Sequence, residues 1–309
     1  MRLSRFALLV AAALVASPPA TYRLTAQAPD SPAGSRTIYV TAVDDKGVPL
    51  TGLTAADFAI KESGRTQQVL GAVPATTPLT VALMIDDSGL GLQSMREGAA
   101  AFVTRLRGLA TISLITTGGR NITLVDYTDS TAALVSGLNR VYSRNVTGAF
   151  LTDGMVAATE QFTRREVTRP VIVSMGVEGE DFSEVRPAEV LAALQRTRTQ
   201  LYMVRLGRPL IGQSNALAAN RGESLADEQT RFNAVLGQAP SRTGGRIEQL
   251  AVHSGIPRLM LAIAEELAGQ YEVTYATTSP TGIDLRLEVS TPRRGVKVRG
   301  PTRVGLPRP

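Results

Sequence analysis

The sequence predicts an α/β fold, a mostly parallel central sheet with helices on both faces, accompanied by a small β module formed by N- and C-terminal strands. Between residues 79 and 206, continuous apolar runs of strand length alternate with amphipathic helical segments, the pattern of a sheet buried on both sides. Before residue 74 and after residue 270 the pattern changes to short strands separated by Pro and Gly turns, which suits antiparallel pairing. With 309 residues, 43% hydrophobic and 19% charged, the chain can bury a sizeable core and divide into more than one module.

The first segment reads as a targeting sequence. Arg2 and Arg5 precede the apolar run FALLVAAALVA, residues 6–16, and Ser17-Pro18-Pro19 then breaks any helix. The run has about half the length a bilayer span requires, so residues 1–28 are expected to be a Sec-type signal peptide, with no integral span after its removal. Ala26-Gln27-Ala28 has the form of a cleavage site, but Pro29 follows it directly, which leaves an upstream site or an uncleaved anchor open. Without cysteine there is no lipid attachment motif. The expected location is secreted or periplasmic.

Residues 29–36 read as a polar linker. From 37 to 73 we expect four short strands, among them an alternating one through TIYVTAV, an extended piece toward Leu53 after a turn at Asp45-Lys46-Gly47, and a strand ending at Ser63-Gly64. They are too few to stand alone. Residues 79–268 follow as the α/β domain. LTVALMID, residues 79–86, is its first buried strand. The next helix carries Met95, Ala99, Phe102, Val103 and Leu106 at helical spacing. TISLITTG and NITLVDY are strands, LVSGLNRVYS and LTDGMVAATEQFTRR helices, and PVIVSM a buried strand. Pro187 opens a helix in the first-turn position that proline tolerates, and QLYMVRLG is the following strand. Residues 208–246 are polar, with one helix-compatible piece near Leu225 to Leu236, and read as a loop or insertion. IPRLMLAIAEELAGQ is a strongly amphipathic helix. Residues 270–300 supply three strands that complete the β module, and 301–309 form a tail.

In open α/β sheets ligands bind beyond the carboxyl ends of the strands. Here that place is Ile85-Asp86-Asp87-Ser88-Gly89-Leu90, whose oxygens are of the kind that hold a hard cation such as Mg²⁺. The segment resembles the metal-ion-dependent adhesion site of von Willebrand factor type A (VWA) domains, whose first motif is D-x-S-x-S. Asp86 and Ser88 match its first aspartate and serine, and Leu90 stands at the second serine. The family's threonine segment corresponds to Thr147 through Asp153, which puts Ala149 at the ligand position and Thr152 nearby. Its last aspartate falls on Met175, between Ser174 and Gly176. Residues 37–73, with Val43 through Leu53 and Asp57-Phe58, resemble the N-terminal part of a VWA-related family of exported acidobacterial proteins. Thr243-Gly244-Gly245-Arg246, Ile263 through Tyr271 and Gly295 through Arg299 resemble its C-terminal part. The resemblance implies a Rossmann-like core with a β module, a degenerate metal site, and an adhesion or protein–protein interaction role.

Octahedral Mg²⁺ needs oxygen donors, and Leu, Ala and Met supply none from their side chains. The expectation is therefore no cofactor, with Asp86, Asp87, Ser88, Leu90, Ala149, Thr152 and Met175 as a vestigial binding face for an unknown protein or cell-surface ligand. If a cation is held, Asp86 and Ser88 are the ligands, with Glu178, Glu180 and Asp181 as substitute carboxylates. A structural alternative makes Asp86 and Ser88 helix caps.

Composition excludes much else. Without cysteine and with His253 as the sole histidine, thiolate and His-rich metal centres are ruled out. Ser254 beside His253 raises a hydrolase alternative, but sequence neighbours seldom face each other and no G-x-S-x-G elbow exists. The chain is expected not to be an enzyme. The formal charge of +6 is carried almost wholly by arginine, since the lysines are Lys46, Lys61 and Lys297. Signal removal takes Arg2, Arg5 and Arg23 with no acid and halves the excess. Only a sparse series from Arg286 to Arg308 clusters, so nucleic-acid binding is not expected.

Overall fold

The computed structural model describes residues 34–89, 91–144, 148–177, 181–207, 235–279 and 284–305. The expected signal peptide, most of the expected linker, Leu90, Glu178, Glu180 and residues 208–234 lie outside them.

The central sheet has six strands. β5 (Leu79–Ile85), β6 (Ala110–Thr116), β8 (Pro170–Val177), β9 (Gln200–Leu206) and β10 (Ile247–Leu250) are parallel, β7 (Ile122–Thr128) is antiparallel at one edge, and the order is β10-β9-β8-β5-β6-β7. The continuous apolar runs are the central strands because both faces are covered. One face packs on α1 (Leu92–Arg105), α2 (Thr131–Leu138) and α6 (Ile256–Ala268), through a core that includes Leu83, Ile85, Phe102, Leu134, Met175 and Ile263. The other packs on α3 (Leu151–Arg164), α4 (Pro187–Thr197) and α5 (residues 235–243), around Met84, Met155, Phe162, Leu194 and Leu236.

Among the described residues there are two further sheets, each of four strands, in the orders β13-β1-β11-β4 and β14-β12-β2-β3. Their strands come from both chain ends: β1 (Gly34–Val43), β2 (Ala59–Glu62), β3 (Arg65–Gln67), β4 (Val69–Pro74), β11 (Tyr271–Thr277), β12 (Leu285–Ser290), β13 (Lys297–Arg299) and β14 (Arg303–Val304). Alternation decides which side chains enter the shared core. Ile38, Val40 and Ala42 of β1 meet Tyr271, Val273 and Tyr275 of β11, with Phe58, Ile60 and Leu287 across from them.

Several boundaries differ from the sequence reading. The linker ends sooner, because Gly34–Arg36 already pair with Tyr275–Thr277. The extended piece toward Leu53 forms only a single bridge, Val43 to Pro49, and β3 and β4 take its place as strands. α2 stops at Leu138, so residues 139–143 are not helical. The region expected as loop up to residue 246 contains α5, and β10 follows directly after it. The tail contributes β14.

The β module joins the α/β domain through buried polar groups. Gln270, between α6 and β11, donates to the Thr41 hydroxyl (3.2 Å) and to the Tyr202 hydroxyl (3.2 Å). Glu266 of α6 is paired with Arg246 (3.0 Å) and with Arg299 of β13. Such groups are tolerated in an interior only when their bonding capacity is met.

Candidate functional site

β5 lies between β8 and β6, and the loops leaving its carboxyl end occupy the switch point of the sheet. The Asp86 amide donates to the Met175 carbonyl (2.9 Å), which extends the β5–β8 ladder by one step. Its Oδ1 accepts from the Ser88 amide (2.9 Å) and its Oδ2 from the Val177 amide (3.4 Å). A Cβ on Gly176 would lie 3.2 Å from that of Asp86, so the glycine leaves the carboxylate its room. Ser88 is half-buried.

Asp87 turns the other way, toward β6, and is 1% exposed. Its Oδ1 accepts from the Gly118 amide (2.8 Å), and its Oδ2 lies 2.9 Å from Nε of Arg144. Burial pushes the Asp87 carboxyl above the usual range, against the Gly118 N–H and the guanidinium, which pull it down. The Arg144 amide donates to the Asp87 carbonyl (3.2 Å), its Nη2 reaches the Thr116 hydroxyl (3.4 Å), and its guanidinium lies 5.9 Å from the Tyr142 ring centre.

The loops above are laced by backbone bonds into a crown. Ala149 is bridged to Gly118 on one side and to Asp181 on the other. Phe150 N–H donates to Thr117 (2.9 Å), and Phe182 N–H donates to the Ala149 carbonyl (2.8 Å). Asp181, weighed from sequence as a substitute cation ligand, caps α3: its carboxylate accepts from the amides of Leu151 (2.9 Å) and Thr152 (3.3 Å) and from the hydroxyls of Thr152 (2.9 Å) and Ser183 (2.7 Å). A carboxylate on the first turn satisfies amides that have no partner within the helix. Asp181→Ala is expected to cost about 1–2 kcal/mol, measured as a lower urea midpoint, with Asp181→Asn intermediate.

Most residues that sequence reasoning placed on the binding face therefore lie beneath it. Thr152 is 1% exposed and bound to Asp181 and the Val185 carbonyl, Met175 is packed in the core with Ile85 and Val204, and Asp86 is 7% exposed. Two aromatic side chains of these loops face outward. Tyr142 is 66% exposed and Phe182 43%, and the Phe182 ring centre is 6.4 Å from that of half-buried Phe150. Phe150 and Phe182 meet through the bridge between their neighbours, a pairing with no local signature.

His253 does not meet Ser254. Its Nδ1 lies 3.0 Å from the hydroxyl of Ser94, in the first turn of α1. Gly91, which enters α1 at φ +76°, leaves space for it, since a Cβ there would come within 3.1 Å of the His253 Cβ.

No protein-family model matches the chain, and no curated protein matches it. Solved structures do. A von Willebrand factor type A protein from Catenulispora acidiphila is 10% identical, with 84% of this chain and 76% of that one covered, at a TM-score of 0.48. The conserved hypothetical protein BatB from Bacteroides thetaiotaomicron is 18% identical over 62% of this chain and 98% of its own, at 0.43. An aerotolerance-related membrane protein from Bacteroides fragilis is 16% identical over 61% and 99%, at 0.42.

Proposed function

We propose that this chain is an exported, non-catalytic interaction module with a VWA-like core, whose protein or cell-surface partner docks on the crown without a divalent cation. One observation carries the reading. Both carboxylate oxygens of Asp86 accept backbone amides, and Asp87 is held by the Gly118 amide and an ion pair with Arg144, while Tyr142 and Phe182 stand exposed on the same set of loops. Tyrosine, phenylalanine and arginine on a rigid scaffold are the usual anchors of protein interfaces, and loops tied in advance lose little entropy on binding.

The residues present do not fit a magnesium ion. Ala149 and Met175 bring no side-chain oxygen, Met175 points into the core, and Asp181 is committed to α3. An octahedral site would have to displace those bonds without gaining a full donor set. Among the described residues no group of three or more His, Cys, Asp or Glu side chains is assembled that could hold a metal ion. The hydrolase alternative loses its pairing, because the base is turned toward Ser94 and not Ser254. Export is supported by the short apolar run behind Arg2 and Arg5, and no helix among the described residues is long and apolar enough to cross a membrane.

The test is affinity capture from the source envelope, run in EDTA and in magnesium, with wild type and a Tyr142→Ala/Phe182→Ala double variant. The expected result is one specific partner captured equally in both buffers and lost at least about tenfold in the double variant, the scale of a hot-spot truncation, with its melting temperature unchanged. Capture only with magnesium would restore the rebuilt cation site. Capture indifferent to the two aromatics would move the interface elsewhere.

A further inference from the structure

We propose that Arg144, with Asp87 and Gly118, is a fixed ionic keystone that holds the crown loops together without a bound cation. It rests on the cation-independent reading above and adds the element that makes independence possible. Three separate loops converge on the Asp87 carboxylate. The loop after β5 contributes the carboxylate itself, the β6–β7 turn contributes the Gly118 amide at 2.8 Å, and the segment before α3 contributes the Arg144 guanidinium at 2.9 Å. Arg144 grips the same loop a second time through its amide on the Asp87 carbonyl, and β6 a third time through the Thr116 hydroxyl.

A guanidinium suits this task because its planar fork reaches several acceptors at once and keeps its charge when partly buried. Here the Arg144 side chain is 19% exposed and that of Asp87 1%, so solvent does little to replace either. Gly118 belongs to the device by its size. A Cβ there would come 2.6 Å from Asp87 Oδ1 and 2.8 Å from the Ser88 amide nitrogen, too close for any side chain unless the loop after β5 moves. The loops so fixed are those that carry Tyr142 and, through the Gly118–Ala149–Asp181 bridges, Phe150 and Phe182. Arg144 is in this sense a positioning residue.

Amide hydrogen exchange on the full chain tests this apart from any partner, so failure of the keystone and failure of the docking reading are distinguishable. In wild type the amides of Gly118, Arg144, Phe150 and Phe182 are expected to exchange at the same rates in EDTA and in manganese. In Arg144→Gln they are expected to exchange about tenfold faster or more, as local opening becomes easier, while β5 and β8 amides keep their protection. Asp87→Asn/Arg144→Gln is expected to recover most of the lost protection, because an asparagine oxygen still accepts from Gly118 without a buried charge. Gly118→Ala, which keeps both charges but pushes Asp87 aside, is expected to behave like Arg144→Gln. Wild-type protection that falls in EDTA, an unchanged rate in Arg144→Gln, or a double variant no better than the single one would each overturn the proposal.

Discussion

Gly245→Ala is expected to destabilise the protein by about 3 kcal/mol or more, at the upper end of what overpacking costs. A Cβ at position 245 would lie 1.9 Å from the Leu201 carbonyl oxygen, a backbone atom of β9 with no freedom to withdraw. The turn Thr243-Gly244-Gly245-Arg246 lies flat against the start of β9. The Thr243 hydroxyl accepts from the Leu201 amide (3.0 Å), and the Arg246 carbonyl accepts from the Met203 amide (2.9 Å). Gly244 adds a left-handed φ of +87° and a close approach to Pro301. Shifting the turn to admit a methyl group would break the register of Ile247 against Met203 and with it the pairing of β10. Gly237→Ala is the control, since α5 has open space there, and it should be neutral or stabilising by up to about 1 kcal/mol. Urea unfolding of both variants decides the matter; a Gly245→Ala midpoint within error of wild type would refute the steric argument.

That turn also marks where sequence reading stops being informative. Its glycines were visible as a motif, but their reason is a contact with Leu201, more than forty positions away, which no local pattern encodes. β5, β8 and β9 were legible because burial on both faces demands an unbroken apolar run, and α4 because Pro187 marks its first turn. β10, with the residues Ile-Glu-Gln-Leu, was missed because four residues at a sheet edge carry too little periodicity to stand out, and its strand character comes from β9 beside it. The same division runs through the site. Asp86, Asp87 and Ser88 could be placed at the end of β5, since carboxylates directly after a buried strand have few other places to be. Their partners could not. Gly118 and Arg144 arrive from two different loops and Val177 from the end of β8, and Asp181 caps a helix that begins thirty residues before it. Residue types that suit metal coordination suit helix capping and loop ties equally well, and only their neighbours in space distinguish the roles.

Arg169→Ala is expected to cost about 3–5 kcal/mol and, more tellingly, to divide one unfolding transition into two. Arg169 precedes β8 and is buried where the α/β domain meets the β module. Its Nη1 donates to the Thr77 carbonyl (3.0 Å), its Nη2 to the Leu267 carbonyl (2.8 Å) and to the Gln270 side-chain oxygen (2.9 Å), and its guanidinium stands 4.7 Å from the Tyr39 ring centre. Burial draws its pKa down, and the neighbouring Tyr39, Tyr202 and Glu272 oppose that. Among the described residues no carboxylate forms an ion pair with it; carbonyl oxygens, including one in the last turn of α6, solvate the charge instead, helped by the negative end of that helix. Truncation would leave these largely buried acceptors without their donor, each at a cost of about 1–3 kcal/mol. Because Tyr39 belongs to β1 and Gln270 also holds Thr41 and Tyr202, the loss falls on the coupling between the two parts more than on either core. Calorimetry should therefore show the β module melting ahead of the α/β domain in Arg169→Ala, with Arg169→Lys between it and wild type. A single transition at the wild-type temperature would mean that the two parts are held together by something other than this arginine.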